Sequence, residues 1–167
     1  DSVQILLDNG AEANISNVNG WTSLHLACQY YQKEDLIDVI RLLIEHGANP
    51  DHRLPNGDNV LTVAVQYQPH QQRLVEIFQI FIDAGADVHH KDSDGWNALM
   101  YLCRYYENPE GLLPAIKLLI EKGVNVNEKE KDSWTALHLL TRYFGNNRNE
   151  RLSDVVRILL ENGAEAN

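Results

Sequence analysis

The stretch GWTSLHLAC (Gly20–Cys28) decides the fold, because it returns three more times in altered form. The later copies are GDNVLTVAV from Gly57, GWNALMYLC from Gly95 and SWTALHLLT from Ser133. A second phrase keeps the same step, as LLDNG, LLIEHG, IFIDAG, LLIEKG and LLENG, and ends at Gly10, Gly47, Gly85, Gly123 and Gly163. Successive spacings of 37, 38, 38 and 40 residues indicate a repeat array.

Each unit of the array is predicted to hold two helices. In the first phrase a polar N-cap precedes apolar residues at helical spacing, which predicts helix A; the N-caps are Thr22, Asn59, Asn97 and Thr135. The second phrase predicts helix B, closed by a glycine that can adopt the left-handed conformation. Pro114 is expected in the first turn of the third helix B. About ten residues rich in turn formers then suit a hairpin-like loop.

Composition restricts the classes of partner and compartment. The 167 residues include 24 acidic and 14 basic side chains, a net charge of -10, which repels phosphate and anionic lipid, so we expect no nucleic acid partner. No apolar run reaches the roughly 20 residues that cross a bilayer, and no signal segment is visible, so we expect no membrane insertion and an intracellular, cytoplasmic protein. The start at Asp1, already inside a helical pattern, indicates a segment of a longer protein.

The first phrase resembles the signature of a known repeat family. Thr22-Ser23-Leu24-His25-Leu26-Ala27 and Thr135-Ala136-Leu137-His138-Leu139 are similar to the T-P-L-H-x-A motif of ankyrin repeats. The signature proline is absent from every unit, and Thr62 and Met100 replace the histidine in the second and third. The resemblance covers the whole chain and implies an all-α ankyrin-type solenoid, in which hairpin-like loops join helix-turn-helix units.

The register of the two phrases places the unit boundaries. We expect a closing half repeat at 1–14 and four repeats at 15–51, 52–89, 90–127 and 128–167. These units exceed the usual 33 residues of the family, and the surplus falls between helix A and helix B, in YQKED, QPHQQR, YENPEG and FGNNRNER. The connections between the two helices are therefore predicted to be longer than in a standard repeat.

The resemblance implies a binding module and not an enzyme. Ankyrin arrays bind a protein or peptide in a concave groove formed by the hairpin tips and the A helices. The alternative is a structural spacer within a longer array, with no ligand of its own. A monomer is expected, with end-to-end association through uncapped terminal repeats as the other possibility.

Two aromatic columns are candidate contact residues. Trp21, Trp96 and Trp134, with Asp58 in the second unit, precede helix A, and tryptophan is enriched at binding hot spots. Each indole could instead pack on its own hairpin. The second column is Tyr30, Tyr67, Tyr105 and Tyr143, preceded in the last two units by Arg104 and Arg142. It suits an acidic peptide, but a residue kept in every unit also fits an anchor for the long A-to-B connection.

The hairpin tips supply further candidates. Arg53, Lys91 and Lys129 give the tips a basic lean that would suit a negatively charged partner, although solvated loops have the same composition. The hairpin asparagines Asn14, Asn127 and Asn167 match positions that asparaginyl hydroxylases modify in ankyrin repeats, which would make the protein a substrate.

Catalytic and metal chemistry has little support in the sequence. Cys28 and Cys103 lie two units apart and are predicted to be free thiols in the core. The resemblance gives His25 and His138 a structural hydrogen-bonding role. His89 and His90 would point to opposite sides of an extended strand, which argues against a zinc site on that pair. We therefore expect no catalytic residues, no cofactor and no metal.

Overall fold

The structure is a computed structural model, and it describes residues 2–30, 35–67, 73–105, 109–144 and 150–166. Within these ranges the chain forms nine α-helices and no β-strand. In chain order they are α1 Ser2–Asp8, α2 Ser23–Tyr30, α3 Leu36–Glu45, α4 Val60–Tyr67, α5 Leu74–Asp83, α6 Ala98–Tyr105, α7 Pro109–Glu121, α8 Ala136–Phe144 and α9 Glu150–Glu161.

The helices pack in two layers. The A layer runs α2, α4, α6 and α8, each helix against the next, and the B layer runs α3, α5, α7 and α9 in the same way. Each A helix also packs on the B helix that follows it in the chain. Among the described helices these contacts lie within one unit or between adjacent units, which is the property of a solenoid, so the all-helical repeat architecture is confirmed.

The core runs between the two layers, and the second unit illustrates it. On α4 the six residues from Val60 to Val65 are all buried, and Phe78 and Phe81 on α5 are fully buried opposite them. Burying an aromatic or branched side chain of this size stabilises the fold by about 1.5–3 kcal/mol. The second unit therefore contributes a large share of the buried apolar core.

The A helices begin where the predicted N-caps place them. Asn59 Oδ1 accepts the backbone N–H groups of Leu61 and Thr62 at 3.1 and 3.2 Å, and Asn97 Oδ1 accepts that of Met100 at 2.9 Å. These two caps are confirmed.

The two threonines precede their helices but bond differently. The hydroxyl groups of Thr22 and Thr135 lie 2.8 Å from Nδ1 of His25 and His138, and the contact from the His138 N–H to Thr135 is 3.5 Å long. Thr135 Oγ1 thus accepts the backbone N–H that an N-cap is expected to bind, whereas the bond described for Thr22 Oγ1 is the one to its imidazole. The backbone N–H groups of both threonines also donate to Nδ1 of the histidines at 3.4 Å.

The helix B segments end as the second phrase predicts, with one correction at a proline. At the end of α3, Gly47 has φ +80°, and the N–H of Ala48 donates to the carbonyl of Leu43 at 2.9 Å. This is the left-handed closure expected of the glycine.

The prediction that Pro114 lies in the first turn of its helix is wrong: α7 starts at Pro109, and Pro114 sits inside it with an exposed ring. Pro109 takes the starting position because its missing N–H costs nothing there.

The long connections between A and B helices fall largely outside the described residues. Positions 31–34, 68–72, 106–108 and 145–149 belong to them. The prediction that these connections are elongated stays a prediction.

Candidate functional site

Each unit projects a hairpin-like finger ahead of its A helix. In the third finger the N–H of Asp92 donates to the carbonyl of Trp96 at 2.9 Å, and the N–H of Gly95 donates to the carbonyl of Asp92 at 3.0 Å. The Asp92 carboxylate also accepts the N–H groups of Asp94 and Trp96 at 2.8 and 2.9 Å. Asn17 and Glu130 do the same in the first and fourth fingers. These bonds fix the backbone of every tryptophan.

The fingers stack on one another through backbone and histidine contacts. The N–H of Ser93 donates to the carbonyl of Asn56 in the preceding finger at 3.0 Å, and that of Lys131 donates to Asp94 at 3.0 Å. His52 Nε2 donates to the carbonyl of Gly20 at 3.1 Å, and His90 makes the equivalent bond to Gly57. Sequence reasoning missed this histidine column; its signal was the recurrence of histidine at one register position in two units.

Asparagine side chains tie successive units together at the other end of the loops. Asn14 donates to the carbonyl of Gly47 at 2.7 Å and accepts the N–H of Asn49 at 2.7 Å. Asn127 donates to the carbonyl of Gly163 at 2.7 Å and accepts the N–H of Glu165 at 2.9 Å. Asn167, the third candidate for hydroxylation, lies outside the described residues. The two described asparagines thus have a structural role whether or not they are modified.

The tryptophan column is half-buried. Trp21, Trp96 and Trp134 pack against the core while part of each indole remains exposed. In the second unit Asp58 takes the position and is buried, where its oxygens accept hydrogen bonds from Asn56 at 2.7 Å, Thr62 at 2.7 Å and Gln66 at 3.0 Å. The column is therefore partly packing and partly surface, and Asp58 itself serves as structure.

Ring contacts join members of the two aromatic columns in two groups, one across the first and second units and one within the third. Trp21 meets Tyr67 of the next unit edge to face, with centroids 5.7 Å apart. Trp96 contacts Tyr101 at 5.3 Å and Tyr105 at 6.4 Å, and the two tyrosines stack at 5.9 Å. Pairs at these distances stabilise by about 0.5–1.5 kcal/mol beyond the area that they bury. The sequence predicted no role for Tyr101, because a tyrosine occurs at this register position in the third unit only.

Tyr101 also links this surface to its finger. Its hydroxyl donates to the Asp92 carboxylate at 2.6 Å. Burial and this hydrogen bond raise the pKa of the Tyr101 phenol well above its usual range. The phenol is therefore a neutral, fixed donor, and it braces the third finger against α6.

Arg104 extends the surface to the fourth unit. Its guanidinium carbon lies 4.5 Å from the ring centroid of Tyr105 and 3.5 Å from that of Tyr143 on α8. Both distances fall within the range of a cation–π contact. We call the resulting surface the aromatic stripe; it consists of Trp21, Tyr67, Trp96, Tyr101, Arg104, Tyr105 and Tyr143.

The remaining candidates of the two columns lie beside the stripe. Tyr30 is the most exposed tyrosine of its column, at 71%, against 40 to 45% for the other three. Trp134 and Arg142 line an open cavity of about 510 Å³ at the end of the fourth unit, together with Leu137 and Val156. Tyr30 in the first unit and Trp134 and Arg142 in the fourth thus lie outside the stripe.

The basic side chains at the finger tips pair with carboxylates. Lys91 bonds Glu128 at 2.7 Å, and Arg53 lies 3.7 and 3.9 Å from Asp51 and Asp87. The bond from Lys91 holds the pKa of the Glu128 carboxyl below its usual value. Among the described residues Lys129 has no such partner. Because Lys91 and Arg53 both pair with a carboxylate of the next finger, little of the predicted basic lean is left for a partner.

The candidate chemical residues have structural surroundings. Cys28 and Cys103 are buried thiols that are not joined by a disulfide, and burial raises the pKa of both to about 12, which leaves them protonated and unreactive. His25 and His138 make the hydrogen bonds expected of the signature histidine. No group of three or more metal-ligating side chains occurs in the part of the chain that the structure describes. None of its described helices is long and apolar enough to span a membrane.

Comparisons with known proteins agree with the repeat pattern. A sequence model described as ankyrin repeats (3 copies) matches residues 1–75 and 71–167. The mouse 2-5A-dependent ribonuclease is 41% identical over 63 residues, 37% of this chain and 8% of the ribonuclease. The human 2-5A-dependent ribonuclease is 39% identical over 66 residues, again 8% of that protein. An ankyrin repeat protein of Acanthamoeba polyphaga mimivirus is 36% identical over 70 residues, 12% of its length. The matches span only a small part of each relative.

Proposed function

The chain belongs to the ankyrin repeat family, and from that premise we propose that it binds a protein or peptide partner through the aromatic stripe. Ankyrin repeats are generally protein–protein interaction modules, and the family is typically non-enzymatic. The ribonuclease relatives are matched over 8% of their length, so their activity is not carried over to this chain. The open question is which surface of the array holds the partner.

The exposure of the stripe supports its role in binding. Tyr67, Tyr105 and Tyr143 keep 40, 42 and 45% of their surface exposed although each ring has an aromatic or cationic neighbour. Partly buried aromatic rings that are already held in place lose little conformational freedom when a partner covers them. Large, stiff aromatic surfaces of this kind are also the residues most often found at binding hot spots.

The single observation that carries the proposal is that aromatic surface occurs on all four units. Trp21–Tyr67 joins the first unit to the second, Arg104–Tyr143 joins the third to the fourth, and Trp96 contacts Tyr105 within the third. An anchoring role within one unit would not need contacts that pass from one unit to the next. An extended segment lying across the units could touch all of them.

The test is affinity capture with a variant that changes only exposed side chains. We expect Tyr67→Ala, Tyr105→Ala and Tyr143→Ala together to abolish capture of a partner that the wild-type array retains. The matched control is Ile5→Ala, a residue of α1 with 62% exposure that lies outside the stripe. Circular dichroism shows whether both variants keep the helical content of the wild type.

The spacer hypothesis gives the opposite result. A spacer would capture nothing specific, or would retain the same proteins in the wild type and the triple variant. Either outcome would refute a binding role for the stripe.

A further inference from the structure

Acidic residues are absent from the A layer. The sequences of its helices, all within the described ranges, are SLHLACQY, VLTVAVQY, ALMYLCRY and ALHLLTRYF, which contain two arginines and no aspartate or glutamate. The chain as a whole carries a net charge of -10. Its B helices hold acidic residues throughout, for example Asp38 and Glu45 on α3 and Glu76 and Asp83 on α5. The two faces of the solenoid thus differ in charge.

As far as the structure describes the chain, the two arginines of the A layer lack the carboxylate partners that several basic residues of the fingers and B helices have. Arg41, Lys91, Lys131 and Arg157 each have a carboxylate within 4.0 Å. Across the described residues no carboxylate lies within that distance of Arg104 or Arg142. Their positive charges are therefore not compensated by an ion pair within the described part of the chain.

The geometry of Arg104 leaves its hydrogen-bonding groups available. The guanidinium carbon of Arg104 lies over the rings of Tyr105 and Tyr143, and its side-chain N–H groups donate no hydrogen bond to any residue that the structure describes. A planar, fixed guanidinium binds a carboxylate through two parallel hydrogen bonds. The stacking rings also remove part of its hydration, which strengthens an ion pair relative to one in open water.

The carboxylates at the base of the fingers do not compete for these arginines. Asp58 accepts hydrogen bonds from three side chains of its own unit. Asp92 accepts two backbone N–H groups and the hydroxyl of Tyr101, and Glu130 accepts two backbone N–H groups. These oxygens are engaged by their own fingers.

Charge complementarity therefore selects the kind of partner. We propose that the aromatic stripe binds an acidic peptide segment of its partner, with carboxylates of that segment on Arg104 and Arg142 and an apolar side chain against Tyr67 and Trp96. This inference rests on the proposed function and specifies the chemistry of the bound segment. Electrostatic attraction to the A layer would also orient the partner, because the acidic B layer repels it.

The experiment selects peptides from a random phage-displayed 12-residue library on the immobilised wild-type array. The most enriched peptides are then synthesised and their Kd values measured by fluorescence anisotropy. We expect Asp and Glu to be over-represented relative to the unselected library. We also expect Arg104→Gln with Arg142→Gln to weaken binding tenfold or more, and binding to weaken as salt rises from 50 to 500 mM. The control Lys117→Gln, an exposed cation of α7, should leave Kd unchanged.

The possible failures separate the two proposals. Peptides that lose binding in the triple tyrosine variant but show no acidic enrichment, or that bind the double arginine variant as well as the wild type, would overturn the acidic-segment inference alone. If no peptide is enriched, or the enriched peptides bind the triple tyrosine variant unchanged, the stripe is not a peptide site and the proposed function fails with it.

Discussion

The stacking of the fingers is tested most directly by adding one methyl group at Gly57. This glycine has φ +88°, and a Cβ placed on it would lie 2.7 Å from the backbone nitrogen of Ser93 and 2.9 Å from the Cα of Asp92. Both atoms belong to the backbone of the next finger, which cannot move aside as a flexible side chain could. The substitution Gly57→Ala should therefore push the second and third fingers apart.

The expected loss of stability has two parts. An L-residue in the left-handed conformation costs about 1–2 kcal/mol. Separation of the fingers would also break the hydrogen bond from Ser93 to Asn56, 3.0 Å long, and disturb the one from His90 to Gly57. Each such bond contributes about 0.5–1.5 kcal/mol, so the total for Gly57→Ala is about 2–5 kcal/mol.

The control is Gly47→Ala at the end of α3. Gly47 has φ +80°, but a Cβ there would meet nothing within 4 Å. The Gly47→Ala variant should therefore lose only the stability that the left-handed backbone conformation costs, about 1–2 kcal/mol. Urea unfolding followed by circular dichroism measures both losses. Losses of stability at independent sites are comparable to within about 0.5 kcal/mol. If the two variants lose equal stability within that margin, the close approach of the fingers is refuted.

Three further outcomes follow from single residues. Ser133 has φ +68° where the other units have glycine, so Ser133→Gly should stabilise the array by about 0.5–1 kcal/mol in urea unfolding, and a loss of stability would contradict this. Asn127→Ala removes both bonds to the last loop, so amide exchange at Glu165 should accelerate while exchange at Asn49 stays unchanged; equal acceleration at both would contradict a local effect. Burial lowers the pKa of His25 from its ordinary 6.5 to about 4, so the folded state excludes a proton that the unfolded state binds, and stability falls as pH drops below 6.5. Between pH 7 and 5 this loss is about 2 kcal/mol, and it should be absent in His25→Gln.

Much of the fold could be predicted from the sequence because the evidence for it is local and repeated. The N-caps at Asn59 and Asn97, the closing glycines and the apolar spacing each define a helix end or face over a few residues. Five copies of one phrase and four of the other then place these elements in register. The position of Pro114 escaped this reasoning, because the start of α7 lies in the segment where the units differ in length.

The candidate site could be predicted only as separate columns. Trp21, Tyr67, Arg104 and Tyr143 were all identified from sequence, but not which of them meet. The indole of Trp21 contacts a tyrosine of the next unit, whereas that of Trp96 contacts two tyrosines of its own unit. Asp58 shared the tryptophan column and proved to be a buried acceptor of its own finger.

The sequence by itself thus determined the helices, their order and the repeat family, since hydrophobic periodicity and capping act within a single unit. The tertiary structure decided which side chains touch across units and which carboxylates are already engaged. The physical reason is that such contacts depend on the offset and rotation between neighbouring units, which arise from core packing along the whole stack. Only that packing sets Arg104 over the ring of Tyr143 and aligns the fingers closely enough to require glycine at position 57.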